Sequence, residues 1–178
     1  HKYNRKKSIM GVGGEDWREK DLYAVCPEDE EFLKDYGNKC QQIASARPDM
    51  IMIDDDMVMS IVPGLGCFCD THMKIYRDIL GEDITIEEMK EKVFTGYNEK
   101  YRKAWLKGVG DSLRKFARCL RESIDRVDTS IRLGFATSYT SFDIEGADAF
   151  ELSEIMAGET KPFLRLTGAP YWCETNML

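Results

Sequence analysis

Nowhere does the 178-residue chain carry an apolar run near the ~20 residues that cross a bilayer, so no membrane partner is expected. The start, His1-Lys2-Tyr3-Asn4-Arg5-Lys6-Lys7, leads into no apolar core and is not the start expected of a signal peptide. A surplus of positive charge is missing as well: 25 Lys+Arg against 32 Asp+Glu leave a net charge of −7. An acidic chain repels phosphate backbones, so no nucleic-acid partner is expected. Internal repeats and low-complexity linkers are lacking too. What remains is 43% hydrophobic and 11% aromatic, enough for one compact domain over residues 1–178. The first residue is His rather than Met, which suits a piece of a longer protein.

The six cysteines are not spread along the chain as disulfide staples would be, and a core of this size needs none. Two stand at i and i+2 in Cys67-Phe68-Cys69, a spacing too strained for a mutual bridge. A reducing, cytoplasmic setting with some cysteines on a metal fits better.

Helical and extended patterns alternate. Leu22–Val25 is β-prone, and the acidic turn Glu28 to Glu31 opens a helix carrying Phe32, Leu33, Tyr36, Cys40, Ile43 and Ala44 before Pro48. Met50-Ile51-Met52-Ile53 reads as a strand buried on both faces, charged only at its tip, Asp54-Asp55-Asp56. Helices follow from about Thr71 to Leu80 and from Thr85. A long one runs from about Tyr97 to Arg126, with a stripe of Tyr97, Tyr101, Trp105, Val109, Leu113, Phe116, Leu120, Ile124 and Val127. Gly108 and Gly110 interrupt that stripe and point to close helix packing or a bend. Ile131–Ala136 is the next strand, Ala147–Ala157 a helix closed by Gly158, and Pro162–Leu166 the last strand.

Strands separated by helices imply an α/β fold with parallel pairing. A (β/α)₈ barrel takes about 250 residues, roughly 31 per unit. This length and four strands therefore predict a partial TIM-type barrel, a fragment of a larger one or a chain that pairs with another copy to close its sheet edges. The plainer alternative is a small open doubly wound sheet.

Three constellations can carry chemistry. Cys67-x-Cys69-x-x-His72, with Cys26 as a distant fourth, suits a closed Cys3His zinc site of structural type; ordinary loop cysteines and an exposed His are the bland alternative. Asp54, Asp55 and Asp56 cap an apolar strand, where like charges close together raise each other's pKa and can keep a general acid protonated. A solvated acidic turn or a Mg²⁺ or Ca²⁺ site explains the same run. Arg165, Tyr171 and Trp172, at and beyond the last strand, suit sugar binding by a cationic clamp and ring stacking, or equally an aromatic plug. Thr137-Ser138-Tyr139-Thr140-Ser141 adds hydroxyls after another strand.

The order of Cys-Pro after a strand, an acid-tipped strand, a Cys-x-Cys-x-x-ligand knot and a long Trp-bearing helix resembles the β-galactosidases of glycoside hydrolase family forty-two and their relatives, over roughly residues 20 to 135. In that family the fourth strand ends in Ile-Asp-Asn-Glu, the Glu being the acid/base, and a zinc is held by one upstream Cys and a Cys-x-Cys-x-x-Cys run. The resemblance implies a carbohydrate substrate, Asp56 as acid/base, a structural zinc on Cys26, Cys67, Cys69 and His72, and no organic cofactor; Asp54 and Asp55 are then expected to orient Asp56 or to bind sugar hydroxyls. Asp replaces Glu at the acid/base position, His replaces the last Cys, and the family's nucleophile has no convincing counterpart. A retaining mechanism needs a second carboxyl about 5–5.5 Å away, so little turnover is expected of these residues alone. Two rivals are a non-catalytic carbohydrate-binding or scaffold protein that kept its zinc knot, and a Mg²⁺- or Ca²⁺-dependent enzyme using the Asp trio.

Overall fold

A computed structural model describes residues 25–54, 57–59, 66–137 and 146–166. Helix α1 (Glu30–Ala44) starts where Asp29 accepts a hydrogen bond from the Phe32 amide at 2.7 Å, and Glu30 and Glu31 complement its positive end. Its buried face is Leu33, Gly37, Cys40 and Ala44. Ile43, expected on that face, is 52% exposed, and Gly37 replaces it as the contact: a Cβ there would lie 2.5 Å from the Ser123 hydroxyl.

Strand β1 (Met50–Ile53) leads, through residues only partly described, to α2 (Asp70–Leu80), then α3 (Ile86–Lys90) and a π-helical turn (Glu91–Thr95). Thr85 and Glu88 form a reciprocal cap at the start of α3. The π turn buries Val93 and sets Phe94 edge-on to Trp105, with ring centroids 5.1 Å apart. Helix α4 (Glu99–Asp125) packs against α1, α2 and the later α5 (Ala149–Ala157). Six stripe residues from Tyr101 to Ile124 are buried, while Phe116 is partly buried against Phe32 and Tyr36. The two ends of the stripe differ from expectation. Tyr97 precedes the Asn98 cap with φ of 46° and is exposed, and Val127 lies past the last turn, exposed as well.

The interrupting glycines do mark close packing. A Cβ at Gly108 would sit 2.6 Å from the Tyr76 ring, and one at Gly110 would collide with the Gly146 carbonyl.

Strands β2 (Arg132–Thr137) and β3 (Leu164–Leu166) complete a parallel sheet in the order β1-β2-β3, with Ile53 opposite Phe135 and Thr137 opposite Leu166. Ile51, Leu133 and Phe135 share the face that joins the core. Met50 and Met52 point the other way and are exposed, so β1 is buried on one face rather than two.

The class is α/β, but the partial TIM barrel is overturned. Among the described residues the sheet has three strands, and Val25 contributes a lone bridge. The reason lies in how the chain is spent. A barrel unit recurs about every 31 residues, whereas β1 and β2 begin at Met50 and Arg132, and the whole interval goes into one crossover through α2, α3 and α4. The result is closer to a small open sheet backed by helices.

Candidate metal centre

Four side chains from two separate segments converge in the helical side of the molecule. Cys26 stands where the chain turns into α1, its carbonyl accepting from the Asp29 amide. Cys67 and Cys69 follow Gly66, whose φ of 61° and close approach to the Trp105 indole exclude any side chain. Cys69 is the N-cap of α2, and His72, three residues on, falls on the same side of its first turn. Cys67 is anchored through its backbone, because the fully buried Tyr76 hydroxyl donates to its carbonyl at 2.9 Å.

The four donor atoms lie within 4.8 Å of one another, and every one of the four residues is buried. Cys26 Sγ is 3.6 Å from Cys69 Sγ, and His72 Nδ1 is 3.3 Å from Cys26 Sγ and 3.5 Å from Cys69 Sγ. The convergence expected of Cys26, Cys67, Cys69 and His72 is therefore present.

Crowding thiols and an imidazole out of water redistributes their protons. Hydrogen bonds to Cys67 and Cys69, with burial, push the Cys26 thiol far up, while hydrogen bonds from Cys26 and Cys67 pull the Cys69 thiol down. Burial alone would discharge His72, but hydrogen bonds to Cys67 and Cys69 outweigh it and raise its pKa to about 9. Electron-rich sulfur thus faces a position where positive charge is stabilised.

Behind the imidazole runs a second layer of polar contacts that sequence reasoning missed. His72 Nε2 lies 3.1 Å from Ser112 Oγ; that hydroxyl donates to Glu28 Oε1 at 2.6 Å, and Glu28 Oε2 accepts from Lys115 at 2.6 Å. By sequence alone Glu28 has only a helix-dipole role, in the acidic turn before α1. The available signal was Ser112, a polar residue at mid-helix among stripe residues Val109 and Leu113.

The other candidates fare differently. Asp54, next after β1, is exposed, and Arg165 is half-buried on β3 opposite Ala136. Asp55, Asp56, Tyr171, Trp172 and the hydroxyls of Ser138 to Ser141 lie outside the described residues. Cys40 is buried on α1 and Cys119 partly so on α4; with the three cluster cysteines they are free thiols. Among the described residues no helix is long and apolar enough to cross a membrane. Compared with protein-family models, curated proteins and solved structures, the chain matches none.

Proposed function

We propose that Cys26, Cys67, Cys69 and His72 hold one zinc ion in a closed tetrahedral site, and that this ion's work is structural. The carrying observation is four buried donors within 4.8 Å. A tetrahedral ion with bonds of about 2.1–2.3 Å sets its ligand atoms about 3.5–3.8 Å apart, and the separations of 3.3, 3.5 and 3.6 Å fall close to those edges. Thiolates favour zinc over Mg²⁺ or Ca²⁺, which take oxygen ligands. A dinuclear iron–sulfur cluster fits poorly, since two irons and their bridging sulfides would spread the outer ligands. Three sulfurs and one nitrogen leave no open position for water, so such an ion ties the segment before α1 to the start of α2. Elemental analysis of protein purified without chelators tests this: about one zinc per chain is expected, and a value near zero refutes it.

A second reading keeps carbohydrate chemistry, with Asp56 as acid/base, at the carboxyl edge of the sheet. It is supported by the parallel order, which brings the strand ends at Ile53, Thr137 and Leu166 to one edge. Open α/β sheets take ligands there. The loss of the barrel removes its other structural support. A panel of aryl glycosides, run beside Asp56→Asn, checks it. Equal turnover in both proteins takes Asp56 out of the chemistry; sugar binding without turnover favours the scaffold reading, and turnover lost on chelation favours a Mg²⁺ or Ca²⁺ enzyme.

A further inference from the structure

Glu28 is an unusual carboxylate. Only 12% of its side chain is exposed, it lies 84 residues in sequence from Ser112, and both of its oxygens are engaged at 2.6 Å. The partner on one side, Ser112, is fully buried and touches the imidazole of His72. The hydroxyl has one hydrogen and two acceptors in reach, Glu28 Oε1 at 2.6 Å and the Gly108 carbonyl at 3.0 Å. A charged acceptor at the shorter distance takes it. Ser112 Oγ is then left to accept, and among the described residues the group offering it a hydrogen is His72 Nε2–H. The chain of donors thus runs one way: imidazole to hydroxyl to carboxylate. With one hydrogen held on Nε2, the neutral imidazole that a metal requires presents the lone pair of Nδ1, the nitrogen that faces Cys26 and Cys69.

We propose that Glu28, acting through Ser112, is a positioning residue that fixes the ring orientation and tautomer of His72 so that Nδ1 is the metal donor. Neither Glu28 nor Ser112 touches the ion in this arrangement; both act through the imidazole, as hydrogen-bonded partners of metal-bound histidines do elsewhere. The inference rests on the zinc reading above and adds to it the residues that make His72 a good ligand. Lys115, holding the other carboxylate oxygen, keeps Glu28 aimed and offsets its charge. Because Glu28 belongs to the segment just before α1 and Ser112 to α4, the chain also couples metal uptake to the packing of α1 on α4.

The test uses the full 178-residue chain, with zinc affinity measured by competition against a chromophoric chelator and the coordination sphere read from the visible spectrum of the Co²⁺-loaded protein. Glu28→Ala and Ser112→Ala should each weaken zinc by about 10- to 100-fold and alter the Co²⁺ bands. The double variant should bind no more weakly than the weaker single one, since both cut the same chain. Glu28→Gln keeps an oxygen for the Ser112 hydroxyl and should recover most of the affinity. Ile51→Ala, on the sheet and neither a donor nor part of the His72–Ser112–Glu28 chain, controls for general destabilisation; metal loosened equally by this change and by Glu28→Ala would overturn the proposal. So would Glu28→Ala and Ser112→Ala proteins that match the parent in affinity and spectrum. A parent chain that takes up neither metal defeats the zinc reading itself, a result separable from the other two.

Discussion

The face of the sheet that carries Ile51, Leu133 and Phe135 is sealed by the helical layer, whereas the opposite face of the same strand β1 leaves Met50 and Met52 at 38% and 45% exposure. Parallel sheets are ordinarily covered on both faces. On the helical side burial is complete enough that even polar groups go under, and those around the cluster are partnered, the buried Trp105 indole N–H excepted: His72 meets Ser112, Ser112 meets Glu28, and the Tyr76 hydroxyl meets the Cys67 carbonyl. That is the condition under which buried polarity is tolerated, because an unpartnered group there costs about 1–3 kcal/mol. The Met face has no such network to protect. The contrast locates the consequences of mutation: side chains of one strand, a residue apart, should matter very differently.

The largest effect should come from the cluster. Cys26→Ser removes a thiolate that serine cannot replace, so zinc content should fall from about one per chain to near zero. Stability of the zinc-loaded protein should drop by an amount on the order of 5 kcal/mol, below the roughly 10–16 kcal/mol of zinc-finger peptides because the chain also buries an extended apolar core. Equilibrium urea unfolding with and without added zinc measures both. Acid should mimic the variant: three thiolates and a neutral imidazole must be deprotonated to hold the ion, so affinity falls as pH is lowered.

Much of this site was legible because its signal is short-range. Cys67, Cys69 and His72 fall within six residues, and a loop cysteine after an early β-prone run supplied the fourth. Glu28 and Ser112 were not legible, since their meaning depends on α1 and α4 lying side by side, which no local spacing encodes. The same division holds for the fold. The Thr85–Glu88 cap, the buried stripe of α4 and the strand positions follow from periodicity and end signals. The number of strands does not, because the barrel was counted from an average unit length and the interval from β1 to β2 departs from it.

A smaller effect, independent of metal, should come from Ile51→Ala. The side chain is 8% exposed and packs in the core, so a loss of about 2–4 kcal/mol is expected from transfer and cavity terms together. The zinc stoichiometry should not change. A joint loss of metal and stability would mean that the sheet and the cluster are one cooperative unit, and the distinction between the two sides would need redrawing.

The smallest effect should come from the adjacent residue. Met52→Lys places a charge at a position 45% exposed, on the face of β1 opposite Ile51. If that face meets solvent, stability should change by no more than about ±0.5 kcal/mol, as at ordinary surface sites. The measurement pairs urea unfolding with sedimentation at two protein concentrations. A loss several times larger, accompanied by a fall in apparent mass, would show that a second copy covers Met50 and Met52, since a lysine there would have to be desolvated to keep the contact. The same loss at unchanged mass would instead mean that the face is packed within a single chain. Either result would erase the asymmetry between Ile51 and Met52, so this mild substitution tests the contrast between the two faces more sharply than any change in the core.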